Sequence, residues 1–453
     1  MENKVEKRRK AAVSTTIAIA AVIIVVAVAG VLIYYFSMPS QPQVTTIKIG
    51  LVAPYGLAEG QDMDRAAKMA VNEINLAGGI FVSGMNRNVT IELVIIDTEK
   101  ADPDVGTTAV TRAITQDKVD VLIGGYSSRE TMATEVVAIQ NNVPFIVTGA
   151  STKSVTTRTD YNTSYIFHYC TTTDHYAHTI VNFYNDKMKP LVSPDRNFTL
   201  AVLYRDDAFG KGALDSCKKF IASDNLNITI IAEEKFTPGA TDYKTQLGKI
   251  KAANPDALLT VGFTAETAEI FIQGQQDVGL NTSYMAIENN DAPEFYTSIK
   301  RWGESQLLES KYGAYAGPPF YLSTIDRYSS NFKAKYGTTP GNMGADTYDA
   351  FYIIKNAVER AGSLNKTLIR NAIETTNMTQ GLLVTESGRI EFSTNPALYH
   401  EILGVTFIQQ LFWNATLGEC RPLIVYPTTP IPNIGFINQT TFVLPEGYQP
   451  RGP

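Results

Sequence analysis

The stretch IKIGLVAPYGLAEGQDMDRAAKMAVNEINLAGGI, from Ile47 to Ile80, decides the fold class. Its first part, Ile47–Val52, is a short apolar run, which predicts a buried strand. Apolar residues then recur at helical spacing from Glu59 to Ala77, and a Gly-Gly pair ends this predicted helix. Another strand follows, so the stretch predicts one strand–helix–strand unit of a parallel sheet, because parallel neighbours need a crossover connection.

The same alternation continues along most of the chain. The first series adds strands and helices at Ile91–Ile96, Pro103–Gln116, Val119–Ile123, Ser128–Gln140 and Pro144–Val147. After a polar, Thr-rich passage (Ser151 to Asp174), a second series runs through Thr199–Tyr204, Phe209–Ala222, Ile228–Ala232, Thr241–Ala253, Ala257–Val261, Ala265–Val278 and Ser283–Ile287. Later elements are predicted at Leu322–Lys335, Gly344–Ala361 and Val405–Gln410. The chain therefore predicts two similar α/β lobes, each with a doubly wound parallel sheet.

The N-terminus differs in composition from the rest. Four Lys and Arg residues lie at positions 7–10, and Ala11 to Phe36 then runs 26 residues without a charge. A helix of about 20 apolar residues crosses a bilayer, so a transmembrane anchor with the N-terminus in the cytoplasm is predicted. A cleaved signal peptide remains an alternative. The junction Arg9-Lys10-Ala11-Ala12 resembles the processing site of archaeal pilin-like signal peptides.

Composition narrows the possible partners. The net charge is −6, and the basic leader makes the remainder more acidic still, which argues against nucleic acid as a partner. The three cysteines leave at least one thiol without a partner inside the chain. Nine Asn-x-Ser/Thr sequons predict an extracellular glycoprotein; they begin at Asn88, Asn162, Asn197, Asn227, Asn281, Asn365, Asn377, Asn414 and Asn438.

An ordered series of motifs resembles the type I periplasmic binding proteins, specifically the branched-chain amino acid (Leu/Ile/Val) binding branch that serves ABC transporters. The motifs are IKIGLVAP at Ile47, RAAKMAVNEINLAGGI at Arg65, VDVLIGGYSS at Val119, VPFIVTGAST at Val143, YRDDAFGKG at Tyr204 and GADTYDAF at Gly344. The resemblance implies a ligand cleft between the two lobes. It also implies an amino acid as ligand, an ABC permease with ATPase subunits as partner, no cofactor and no catalysis.

The resemblance also implies which residues bind the ligand. Ser128, expected to cap its helix, would hold the ligand's α-carboxylate next to Ser127, and Gly149 and Ser151 would orient the ligand. Glu288 would pair with the ligand's ammonium. Phe209 and Thr264 stand where the family has aromatic residues, and Glu59 stands near another such position, so specificity for branched-chain ligands is in doubt.

The composition of the N-terminus and the resemblance together divide the chain into segments. These are 1–10 basic leader, 11–36 membrane anchor, 37–46 linker, 47–165 with 317–378 lobe 1, 166–316 with 379–432 lobe 2, and 433–453 tail. The residues after Pro427 are expected to wrap a lobe.

Other functions have weaker support in the sequence. A sensory ectodomain of the same fold is the main alternative, although the cytoplasmic part would hold only about ten residues. A hydrolase lacks a nucleophile motif, since Gly125-Tyr126-Ser127-Ser128 has no second glycine at the required position. His168, His175 and His178 are better explained by a strand end and a helix start, capped by Asp174, than by a metal site.

Overall fold

The computed structural model describes residues 23–30, 46–287, 299, 307–312, 323–379, 381–414, 419–427, 440–445 and 448. The chain divides into two compact units, Met1–Thr45 and Thr46–Pro453. In the first unit, residues 23–30 are helical, and the rest of the predicted anchor lies outside the described residues. Within the described parts of the chain, no helix combines the length and apolarity needed to cross a bilayer.

The second unit alternates strands and helices. The strands are β1 (Thr46–Ala53), β2 (Ile80–Val82), β3 (Arg87–Asp97), β4 (Val121–Gly124), β5 (Phe145–Val147), β6 (Ile166–His168), β7 (Phe198–Arg205), β8 (Ile228–Phe236), β9 (Ala257–Val261), β10 (Ser283–Ile287), β11 (Leu307–Tyr312), β12 (Met378–Thr379), β13 (Arg389–Ile390), β14 (Thr406–Asn414) and β15 (Glu419–Tyr426). The helices are α1 (Ala58–Leu76), α2 (Pro103–Arg112), α3 (Ser128–Gln140), α4 (Ser154–Thr157), α5 (Thr173–Phe183), α6 (Lys189–Val192), α7 (Ala208–Ser223), α8 (Lys244–Ala253), α9 (Thr264–Gln273), α10 (Ser323–Tyr336), α11 (Asn342–Ala361) and α12 (Lys366–Glu374).

Two sheets organise these elements. The first has the order β2-β3-β1-β4-β5-β6 and the second the order β15-β14-β11-β10-β9-β7-β8. The central strands of both sheets pair in parallel and are buried on both faces, as β1 shows with six buried residues in its eight. Both sheets also have antiparallel edges, formed by β2 in the first and by β14 with β15 in the second. The predicted strand Val405–Gln410 corresponds to the start of β14, but its antiparallel pairing was not predicted.

The parallel strands of the two sheets follow the same order. In the first sheet, β1 lies between β3 and β4, and in the second, β7 lies between β8 and β9. The chain therefore reverses its winding direction beside β1–β4 and beside β7–β9. In open α/β sheets, ligands bind at the carboxyl ends of the strands at such a switch point. Each lobe thus presents one candidate binding edge.

The strand-to-helix turns after β1 and β7 are also alike. Each leads into a helix whose third residue is glycine, Gly60 in α1 and Gly210 in α7. A Cβ atom on Gly60 would lie 2.1 Å from the Pro54 carbonyl oxygen, and one on Gly210 would lie 2.0 Å from that of Arg205. Only glycine lets the helix start so close to the strand end, so both lobes place a helix N-terminus tightly against their switch points.

The main differences from the predicted elements lie in the Thr-rich passage. It contains α4, which was not predicted, and also the three-residue strand β6, which ends at His168, and the start of α5, so the strand end and helix start predicted around the histidines are present. Thr172 rather than Asp174 caps α5, since the Thr172 hydroxyl lies 2.9 Å from His175 Nδ1 in a capping box. The prediction for Asp174 was therefore wrong. Asp174 instead accepts hydrogen bonds from Ser216 and Lys219.

The described residues after Pro427 pack against the second sheet. Gln410 of β14 donates from Nε2 to the Val443 carbonyl at 2.7 Å, and the Tyr448 hydroxyl donates to the Asp256 carbonyl at 3.0 Å. The Phe442 ring meets Phe183 of α5 edge-on, with the ring centroids 5.2 Å apart. These contacts cover the apolar surface of the lobe.

Candidate functional site

The switch point of the first lobe carries the start of α3. Ser127 is at the cap position, with extended backbone angles (φ −77°, ψ 131°), and Ser128 is the first helical residue. The prediction that Ser128 itself caps the helix was thus off by one residue. Both serines are buried, at 3% and 2% exposure. The free amides of this helix start and its dipole favour a bound anion.

The end of β5 lies beside this helix start. The Thr152 amide donates to Ser128 Oγ at 3.2 Å, and Ser151 next to it is buried. Gly149 is close-packed, because a Cβ atom there would lie 2.7 Å from the Gly125 carbonyl oxygen. The fold therefore brings Ser127, Ser128, Gly149 and Ser151 together at one edge of the first sheet.

The switch point of the second lobe holds Phe209 and Thr264. Asp207 caps α7 by accepting hydrogen bonds from the Phe209 and Gly210 amides at 3.1 and 3.2 Å. Thr264 begins α9 directly after β9. The rings of Phe209 and Phe263 lie 6.4 Å apart between centroids, which links the two helix starts. Both predicted residues are therefore at the carboxyl edge of the second sheet.

The two edges face each other. The Tyr126 ring of the first lobe lies 4.8 Å from the Phe263 ring of the second, measured between centroids. The next residue, Thr264, donates from its hydroxyl to Glu59 Oε1 at 2.6 Å. The backbone also crosses between the lobes, as the Thr173 amide donates to the Ser151 carbonyl at 2.8 Å. The molecule is thus in a closed arrangement, with the predicted residues Ser151 and Thr264 at the contact between lobes.

Arg205 is a feature of this edge that sequence reasoning missed. Its guanidinium contacts Asp207 at 2.5 Å and Glu266 at 2.6 Å, and lies 3.8 Å from the centre of the Phe263 ring. Burial works against its charge, but Glu266 and Asp207 together hold the pKa of Arg205 above its ordinary value. Arg205 therefore fixes the orientation of Phe263 through a cation–π contact. The sequence could have indicated Arg205 by its position at the end of β7, two residues before the N-cap of α7.

Two connections between the lobes are described, residues 168–172 and residues 381–405, and we call them the crossing segments. They run side by side: the His168 amide donates to the His400 carbonyl at 2.9 Å, and the Ile402 amide donates to the His168 carbonyl at 3.0 Å. His168 and Glu401 form a parallel bridge between them. The lobes are therefore joined by a paired connection rather than by independent strands.

Two buried carboxylates hold these segments. His168 Nδ1 lies 2.7 Å from Glu401 Oε2, and the Thr156 hydroxyl also donates to Glu401. Asp349 of α11 accepts from the Tyr169 hydroxyl at 2.9 Å and from the Leu382 and Leu383 amides at 2.6 and 3.1 Å. Burial raises the pKa of Asp349 to about 6, although these three hydrogen bonds oppose the increase.

The remaining sequence candidates have other partners or lie outside the described residues. His175 belongs to the cap of α5, and His178 lies 2.9 Å from Asp224. Cys170 and Cys217 are buried thiols, and Cys170 Sγ lies 3.0 Å from His168 Nε2. Across the described ranges, His, Cys, Asp and Glu do not form a group of three that could hold a metal. Glu288 lies outside the described residues, so its pairing with a ligand stays a prediction.

Comparisons with known proteins agree with this architecture. The model of the family described as periplasmic binding protein matches residues 46–398. A leucine-, isoleucine-, valine-, threonine- and alanine-binding protein of Pseudomonas aeruginosa is 25% identical over 331 residues, covering 72% of this chain and 82% of that one.

Solved structures share the fold. The substrate-binding protein of a branched-chain amino acid transporter from Streptococcus pneumoniae, in complex with isoleucine, has a TM-score of 0.68 at 23% identity and covers 84% of this chain and 100% of its own. A leucine-binding protein from Thermotoga maritima has a TM-score of 0.68 at 21% identity, covering 83% of this chain and 97% of its own. The family match over residues 46–398 shows that the chain belongs to the periplasmic binding proteins.

Proposed function

We propose that this protein is the extracytoplasmic receptor of an ABC importer, which captures a free amino acid between its lobes and delivers it to a permease with ATPase subunits. One observation carries the proposal. The start of α3, with Ser127 and Ser128, faces the helix starts of α7 and α9 across a contact between two switch points. The leucine-, isoleucine-, valine-, threonine- and alanine-binding relative from P. aeruginosa and the isoleucine complex from S. pneumoniae support an amino acid as the ligand.

The first lobe offers the site for the ligand's carboxylate. Backbone amides at the start of α3 and the Ser128 hydroxyl are donors, and the helix dipole favours negative charge there. In the second lobe, Phe209 supplies an apolar wall and Glu288 is the proposed partner of the ammonium. A zwitterion would thus be held by one lobe at its carboxylate and by the other at its ammonium, so that closure depends on both contacts.

The N-terminal part completes the proposal. Ala11 to Phe36 is proposed to anchor the protein, with the two lobes outside the cell membrane. The sequons support an extracytoplasmic location, because a glycosylated asparagine has to lie on the surface. Seven sequon asparagines within the described ranges are exposed: Asn88, Asn162, Asn197, Asn227, Asn281, Asn365 and Asn377. Mass spectrometry of the protein from its native membrane would test both points: attached glycans would support the extracytoplasmic location, and the first residue of the mature protein would show whether the N-terminal segment is retained.

The experiment that tests ligand capture is calorimetry of the full chain against each of the twenty amino acids. We expect at least one to bind at micromolar concentration and to raise the melting temperature, since a ligand that binds only the folded state stabilises it. If no amino acid binds and none changes the melting temperature, the proposal is wrong.

Ser128→Ala is expected to weaken binding of the preferred amino acid at least tenfold, or by about 1.4 kcal/mol, because a hydrogen bond to a charged group is lost. Calorimetry measures the dissociation constant, and the melting temperature of the free protein shows whether the variant folds. Ser223→Ala, at the opposite end of α7 from the cleft, is the matched control and should bind like wild type. Unchanged binding by the Ser128→Ala variant would show that the ligand's carboxylate is not bound at this helix start.

A further inference from the structure

The outer edge of the first sheet is only partly covered. β2 pairs with β3 from Arg87 to Val89, and among the described residues no strand pairs with the outer side of β3 between Thr90 and Asp97. Proteins usually protect a free edge with charges, Pro or a bulge, because its unpaired backbone groups can pair with another chain. The four residues from Leu93 to Ile96 are all apolar and include neither a charge nor Pro.

The hydrogen bonds of Asn75 show which backbone groups of this edge are open. Its side chain accepts from the Ile91 amide at 2.8 Å and donates to the Ile91 carbonyl at 3.0 Å. Ile91 therefore points its backbone groups away from β1, and because these groups alternate along a strand, Leu93 and Ile95 do the same. No described strand or side chain bonds to them on that side. The edge is thus closed at Ile91 and open at Leu93 and Ile95.

An apolar groove lies beside the open positions. It is formed between α1 and β3, has a volume of about 480 Å³, and takes its apolar lining from Val71, Leu76, Leu93 and Ile95. Leu76 is 79% exposed and Ile95 is 44% exposed. Covering such side chains is favourable by about 25 cal/mol for each Å² of apolar surface removed from water. A partner at this edge would therefore gain both backbone hydrogen bonds and apolar contacts.

We infer that this edge is an interface between two copies of the chain, whose β3 strands pair antiparallel across a two-fold axis at Val94. Leu93 and Ile95 are symmetric about Val94, so Leu93 of each copy pairs with Ile95 of the other. Residues in such pairs exchange both of their N–H···O bonds, and the two first sheets become one continuous sheet. This interface lies outside the ligand cleft and does not depend on the proposed function.

The length of β3 fits a second copy of the same strand. In this register Asp97 of the second copy lies opposite Ile91, where Asn75 already closes the edge. β3 ends at Asp97, so the added strand stops where the open edge stops. The same relation holds from the other copy, as a two-fold interface requires.

The charges of β3 also permit the pairing. Glu92 is the one charged residue between Thr90 and Ile96 in the sequence. In the proposed register it lies opposite Ile96 of the second copy, and Val94 lies opposite Val94. Like charges directly opposite each other destabilise a pair of strands, and this register avoids them.

Cysteine cross-linking tests the register. The two Val94 residues form a pair without hydrogen bonds, whose Cα atoms are about 4.5 Å apart, and a disulfide can span that distance. Mild oxidation of the full-length Val94→Cys variant in detergent should therefore produce a disulfide-linked dimer on a non-reducing gel. Ser223→Cys, on an exposed position of α7 in the second lobe, is the matched control and should stay at the wild-type background. Equal cross-linking of the two variants would contradict the inference.

Sedimentation equilibrium of the full chain in detergent tests the dimer itself. We expect wild type to dimerise and Ile95→Lys to raise the dissociation constant at least tenfold, because the added charge would lie against Leu93 of the second copy. Ser223→Lys is the matched control and should dimerise like wild type. The melting temperature of Ile95→Lys, measured at a dilution where wild type is monomeric, shows whether the variant folds.

Three outcomes would overturn the inference. A dimer that Ile95→Lys leaves intact is held together elsewhere. A wild-type monomer in which the Leu93 and Ile95 amides resist hydrogen exchange has this edge covered by another segment of its own chain. A wild-type monomer in which these amides exchange rapidly has the edge open to a different protein rather than to a second copy.

Discussion

Replacing Glu401 by alanine is expected to lower the free energy of unfolding by about 3–5 kcal/mol, because it removes one partner of a buried pair. The side chains of His168 and Glu401 are 0% and 1% exposed. His168 Nε2 lies 2.5 Å from the Ala150 carbonyl, which can only accept, so Nε2 carries a proton and Nδ1 faces the carboxylate. Without Glu401, the imidazole and the Thr156 hydroxyl lose their common partner.

Urea unfolding of the full chain measures this loss. Glu401→Gln is the matched control, because its amide can still accept from Thr156 and donate to a neutral His168, and it should recover most of the lost stability. An alanine variant within about 1 kcal/mol of wild type would show that this pair does not hold the crossing segments together.

Replacing Asp349 by alanine is also expected to lower the free energy of unfolding strongly. Two backbone amides and the Tyr169 hydroxyl would be left without their acceptor in a buried place, and each costs about 1–3 kcal/mol. We expect a total loss of several kcal/mol, and a less cooperative urea transition because both crossing segments lose an anchor. Asp349→Asn keeps an acceptor for the two amides and should be the milder variant.

The stability of the Asp349→Asn variant relative to wild type is also expected to depend on pH. Burial raises the pKa of the native Asp349 carboxyl to about 6 from an ordinary value of 3.8. Between about pH 4 and 6 the native state therefore binds more protons than the unfolded state, so this group's contribution to stability falls as the pH rises. The amide of the Asp349→Asn variant does not titrate, so the stability of this variant relative to wild type should rise by up to about 3 kcal/mol across that range. A constant difference from pH 4 to 7 would contradict the raised pKa.

The sequence predicted the central elements well because their signals are local. The bounds of α3, β9 and β10 agree to the residue with the prediction, since each is an apolar run or an amphipathic segment bounded by polar or glycine residues. The family resemblance singled out Ser128, Gly149 and Ser151, and the fold brings them to one sheet edge because the carboxyl ends of parallel strands meet.

The missed features depend on residues distant in sequence. A strand end near His168 was predicted, but the extent of the three-residue strand β6 depends on its pairing with β5 and with the segment around His400. The Arg205 cluster needs Glu266 from another helix, and the His168–Glu401 pair joins two parts of the chain far apart in sequence. The bond between Glu59 and Thr264 exists only because two lobes close, and no local pattern encodes it.

A crystal structure of the protein grown with an equimolar mixture of the twenty amino acids tests the proposed ligand site most directly. We predict one amino acid between the lobes, with its carboxylate within hydrogen-bonding distance of Ser128. A crystal structure with no amino acid between the lobes, or with an amino acid bound only elsewhere, would contradict this prediction.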